Sequence, residues 1–134
     1  MKRPVGIVLL IAALLWHLLS GLATAGTVIT HLFRQGMPLP IGAAATVAIL
    51  IVAPLAAGVA ALGLWRWTRW ALIAFTVWGV LLVLETGALL WIVGSLAGAG
   101  GAQWWIMGFV VAVLTLGVIA AIAYVRYVMR RMEA

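Results

Sequence analysis

Residues 70–96 read WALIAFTVWGVLLVLETGALLWIVGSL, 27 residues in which Glu85 is the single charge. A hydrocarbon core ~30 Å thick is crossed by ~20 helical residues. Unpaired backbone groups are too costly in lipid, so an apolar run of this length must be a helix. An acidic side chain near a helix centre costs ~2.5–3.5 kcal/mol on an insertion scale. The 14 Leu, Ile, Val and Phe residues between Leu72 and Leu96 return ~4–8 kcal/mol on the same scale. The segment inserts with its glutamate on board.

Three further runs of this kind flank it, and the spacing predicts helices over about 5–33, 41–64, 70–96 and 104–129 of one transmembrane domain covering 1–134. Hydrophobic residues make up 68% of the chain and charged residues 7%, against roughly 25% charged in an average soluble domain. A soluble fold of that composition would lack a polar coat. Transmembrane strands would show ~10-residue alternating segments, and the chain has none. The expected class is all-α, a polytopic membrane four-helix bundle.

The net charge of +6 follows topology rather than a nucleic-acid footprint, because no polar domain exists to present a basic face. Lys2 and Arg3 precede the first helix, Arg66 and Arg69 separate the second from the third, and Arg126, Arg130 and Arg131 end the fourth. Only Arg34 falls on the opposite side. The positive-inside rule then assigns both termini to the cytoplasm, with the chain running up-down-up-down. The partners this implies are the lipid bilayer, its anionic head groups included, and other membrane subunits or further copies of the chain. Lys2-Arg3, an apolar run and Ala23-Thr24-Ala25 imitate a cleavable secretory signal. The run continues to Phe33, so the segment reads as a retained first helix.

With no cysteine, disulfides, thiolate metal sites and thioether-linked haem are excluded. The three links are short, which makes consecutive helices antiparallel neighbours. Gly36, Pro38 and Pro40 end the first helix. Trp65, Trp67 and Trp70 suit the head-group belt. The 97–103 segment reads as a flexible glycine link. In the second helix Ala53, Ala57 and Ala61 recur every four residues beside Gly58. Small residues at this spacing let helix backbones approach closely. Pro54, inside the same helix, reads as a kink.

The polar residues within the spans are the candidate working parts. On the first helix His17, Ser20, Thr24, Thr27 and His31 recur at steps of three and four, so they share one stripe. Gly21 and Ala25 flank that stripe at packing distance. The bland reading is that the hydroxyls satisfy helix carbonyls or bridge helices at ~0.6 kcal/mol each. The functional reading is a polar path or ligand wall. Glu85 needs a partner or a proton, since removal from water favours the neutral acid. Counted from the cytoplasmic edge, Glu85 stands near the level of Ser20. That predicts a bond to His17 or to the hydroxyls above it, joining the first and third helices. His31 sits beside Arg34 at the outer face, where a solvated histidine needs no special account.

Two histidines 14 apart on one helix resemble the spacing with which b-type cytochromes hold stacked haems, but the partner histidines are missing. No nucleophile elbow, P-loop or HExxH pattern is present, and a non-enzymatic role without cofactor or metal is expected. The segments Gly63-Leu64-Trp65-Arg66-Trp67-Thr68-Arg69-Trp70-Ala71 and Lys2-Arg3-Pro4-Val5-Gly6 resemble those of small bacterial four-helix inner-membrane proteins. That resemblance implies a bacterial plasma membrane and little about activity.

Three functions follow as expectations. The first is a non-catalytic subunit or scaffold packing within a larger complex or homo-oligomer. The second is a small proton-coupled transporter using Glu85. Small multidrug exporters are similar in size, helix number and possession of one intramembrane glutamate. Theirs lies in the first helix, however, so its role is not carried over to Glu85. The third is a subunit holding haem, quinone or pigment against the stripe, with Trp16 and Trp78 alongside.

Overall fold

The computed structural model describes residues 2–34, 41–96, 98 and 100–133. The link with Gly36, Pro38 and Pro40, and residues Ala97 and Ala99, lie outside the described residues. Within them the chain is all-α, with helices α1 (Val5–Arg34), α2 (Ile41–Arg66), α3 (Ala71–Leu96) and α4 (Gly101–Glu133). All four are long and apolar enough to cross a membrane.

The helix ends show local chemistry that hydropathy misses. α4 starts at Gly101, inside the segment expected to be a flexible link. The reason is a capping arrangement: the Gly100 amide donates to Gln103 Oε1 at 2.9 Å, and the Gln103 and Trp104 amides bond back to the Gly100 carbonyl. A Gln three residues into a helix, reaching back to the N-cap amide, satisfies a donor the helix itself leaves open. α4 also continues past 129 to Glu133, with Arg130 and Arg131 in its last turn, where the helix dipole favours cations.

α2 closes with a reversal at Trp67, whose φ is +53°. The Thr68 amide donates to the Gly63 carbonyl at 3.2 Å and the Trp67 amide to the Leu64 carbonyl at 3.4 Å. This is the paired bonding of a Schellman motif, with Trp67 at the position glycine usually takes. A left-handed backbone costs a residue with a β-carbon roughly 1–2 kcal/mol. The Trp67 side chain offsets that cost by packing on the core near Met129 and Met132 of α4.

Each helix packs along the next: α1 on α2, α2 on α3, α3 on α4. α2 is the most buried of the four and α4 the least. Small side chains explain the first. Ala57 and Ala60 are completely covered and Ala61 nearly so, leaving room for a helix on either side. Across the first pair Gly21 faces Pro54 and Gly58 faces Leu18; across the third, Gly79 faces Val118 and Gly94 faces Trp104. α2 runs on through Pro54 to Arg66. The proline ring lies against Gly21, and a methyl group there would approach its Cγ to 2.5 Å.

The main core cluster gathers at the end carrying both termini and the α2–α3 turn. It takes Ile7, Ile11 and Leu14 from α1, Leu64 from α2, Phe75 and Trp78 from α3, and Val125 and Val128 from α4. At the same end α1 meets α4, where Tyr124 occupies the space a side chain at Gly6 would need. On α1 the polar residues begin at His17, about one turn past Leu14 of this apolar floor.

Candidate functional site

Trp78 and Glu85 are seven residues apart on α3, two helical turns, and so point from one face. That face meets α1 at His17. The His17 Nε2 atom lies 2.7 Å from Glu85 Oε2, and the Trp78 Nε1–H donates to His17 Nδ1 at 2.8 Å. The two ring systems meet edge-on with centroids 6.0 Å apart, and Phe75 packs against Trp78 from below at 5.1 Å. Glu85 is 5% exposed and is the one charged residue among the buried ones described. His17 is half-buried.

The bonding fixes the histidine. An indole nitrogen only donates, so Nδ1 is an acceptor and carries no hydrogen. A neutral imidazole has one N–H, which is then at Nε2 and donates to the carboxyl oxygen. Both ring nitrogens are engaged, so a haem iron ligated by His17 would have to displace Trp78 or Glu85. Among the described residues no group of three His, Asp or Glu side chains could hold a metal ion.

The rest of the α1 stripe turns elsewhere. Ser20 donates to the Trp16 carbonyl at 2.7 Å, Thr24 to Ser20 at 2.9 Å and Thr27 to Ala23 at 3.0 Å. Thr24 and Thr27 are exposed. These hydroxyls close on their own helix and none of them reaches Glu85, so of the partners offered by sequence the structure gives the carboxyl His17. His31 is exposed beside Arg34, about 21 Å along α1 from His17. With Thr27 and Thr30 these two line a shallow groove at the far end of the helix.

The small residues form contacts between helices. Gly21 and Ala25 of α1 are buried, as are Ala53, Ala57 and Ala61 of α2, and Leu18 fills the space over Gly58. Among the basic residues Arg3 stands apart. Its guanidinium donates to the Trp65 carbonyl and lies 4.0 Å from the Trp65 ring centroid, tying the start of α1 to the end of α2. Lys2, Arg66, Arg69, Arg126, Arg130 and Arg131 are exposed, with Arg131 over the ring of Tyr127 at 5.3 Å.

Sequence reading missed the role of Trp78, taking it as packing or as a cofactor wall together with Trp16. Trp16 instead faces outward, 73% exposed. The available signal was the seven-residue step from Trp78 to Glu85, which puts a donor-only ring on the glutamate's own face. No protein-family model, no curated protein and no solved structure matches this chain.

Proposed function

We propose that this chain is a non-catalytic subunit or scaffold of a bacterial inner membrane, packing within a larger membrane complex or against copies of itself. Both termini and the Arg66–Arg69 turn face the cytoplasm on this reading, following the bias of basic residues. The observation that carries it is α4. It is 33 residues long, yet Val118, Val125 and Val128 are its only buried side chains among the described residues. Gly108 and Gly117 of that helix have open space over their α-carbons, which suits close approach by another helix. Native mass spectrometry of the protein released from its own membrane tests the proposal. Other polypeptides or further copies are expected in the assembly, and deletion should lower a partner's abundance. A bare monomer whose deletion changes no other membrane protein overturns it.

A second reading, a small proton-coupled transporter, is favoured by one specific observation. A buried carboxyl stands well inside a membrane-length helix with His17 as its hydrogen-bond partner. The transporter should drive pH-dependent flux in liposomes, abolished in Glu85→Gln. Flux that survives the substitution removes Glu85 from coupling.

A further inference from the structure

His17, Trp78 and Glu85 differ in what each can do with a proton. The ring nitrogen Nδ1 is occupied by the Trp78 N–H at 2.8 Å. A second proton on the ring would sit there, donor against donor, and would expel the indole. The carboxyl meets no such obstacle. Oε2 receives the His17 N–H, while Oε1 accepts no hydrogen bond from the described residues.

We infer that these three residues form a membrane-embedded proton-binding site in which Glu85 Oε1 takes up the proton and Trp78 holds His17 as a neutral Nε2–H donor. Uptake converts carboxylate to carboxylic acid, release reverses it, and both hydrogen bonds persist in either state. Trp78 is a positioning residue: it touches the imidazole and acts on Glu85 through it. The inference shares with the transporter reading the idea of a proton on Glu85. It goes beyond that reading in naming the oxygen and the residue that keeps the proton off the histidine.

Among the described residues no other titratable group stands at this level. α2 carries none between Ile41 and Leu64, and α3 carries only Glu85. On α1 the other histidine is His31, about 21 Å away along the helix. On α4 the titratable side chains are Tyr124 and those beyond it. Tyr124 meets α1 at Gly6, roughly three turns from His17.

The chain holds two histidines and two acidic residues. A His31→Gln/Glu133→Gln background therefore leaves His17 and Glu85 as its only imidazole and its only side-chain carboxyl. This protein is reconstituted in bilayers with labelled histidine and glutamate. Nitrogen NMR then reads the imidazole and isotope-edited infrared the carboxyl across pH. As pH falls, the protonated-acid band of Glu85 should appear while His17 remains a single Nε2–H tautomer. With Trp78→Phe, which keeps a ring on Phe75, the doubly protonated imidazolium should appear and the acid band diminish. An Nδ1–H tautomer or an imidazolium ahead of the acid band, with Trp78 in place, overturns the inference. So does a carboxyl whose state does not change between strongly acid and strongly alkaline buffer, or a Trp78→Phe spectrum identical to the parent's. Should Trp78→Phe fail to fold, the parent spectra decide alone. Proton flux is a separate measurement: if it is absent while the spectra behave as expected, transport falls and the site stands.

Discussion

Gly21 of α1 and Pro54 of α2 stand so close that a methyl group on the glycine would come within 2.5 Å of the proline Cγ. The residue that α2 sets against this glycine is one without a backbone N–H. Gly21→Ala should therefore destabilise the fold by ~1–3 kcal/mol, the usual range for overpacking. A β-carbon on Gly26, five residues along, would meet nothing within 4 Å. Gly26→Ala should be neutral or stabilising by up to ~1 kcal/mol through helix propensity. Thermal unfolding of both variants in one detergent checks the pair.

A second close contact allows a rescue. A β-carbon on Gly79 would lie 2.6 Å from Val118 Cγ1. Gly79→Ala alone should lower stability, and Val118→Ala in the same chain should recover part of the loss. A double-mutant cycle is expected to return a coupling energy within ~0.5–3 kcal/mol. Strict additivity would mean that α3 and α4 do not meet there.

The bond between α1 and α3 calls for a comparison of shape with chemistry. Glu85→Gln keeps an oxygen for the His17 N–H and should unfold close to the parent. Glu85→Leu leaves that N–H without its acceptor, at a cost of ~0.6–1.7 kcal/mol for a bond between helices in a membrane. Equal melting of the two variants would show that the contact contributes nothing to assembly.

At Trp67 the sign of a familiar rule should reverse. Glycine ordinarily stabilises less than alanine, but at φ +53° alanine keeps the backbone strain while glycine does not. Both variants lose the indole packing, so Trp67→Gly should be more stable than Trp67→Ala by ~1–2 kcal/mol. Denaturation of the two side by side measures the difference directly.

Because the chain has no cysteine, one introduced thiol reports on one place. Thr68→Cys should be shielded in intact cells from a membrane-impermeant maleimide and react once the cells are opened. Gly98→Cys should react in intact cells. The reverse pattern would invert the proposed orientation.

The four spans could be read from sequence because hydropathy and charge are properties of short windows. The height of Glu85 could be read too, since a helix rises by a constant step and levels can be counted from a common edge. Counting offered His17 and the hydroxyls alike. It could not tell that Ser20, Thr24 and Thr27 would turn back on their own carbonyls, as that depends on side-chain rotation. Trp78 was hidden for a different reason: an indole in the middle of a span serves as packing until something at its height accepts its hydrogen. At the start of α4, Gln103 was a usable capping signal that the surrounding glycines masked. Trp67 gave no sign, because nothing about tryptophan announces a positive φ.

His17 and Glu85 are separated by 68 positions along the chain. Ribosomes add ~5–20 residues per second, so the glutamate is made roughly 3–14 s after the histidine. Throughout that interval α1 has neither the indole nor the carboxyl its imidazole will later bind, both of which arrive with α3. The first helix is thus the earliest to be made; it can settle against α2 as soon as that helix follows, but its histidine waits for α3. What the third helix delivers is the pair of side chains that occupies both ring nitrogens.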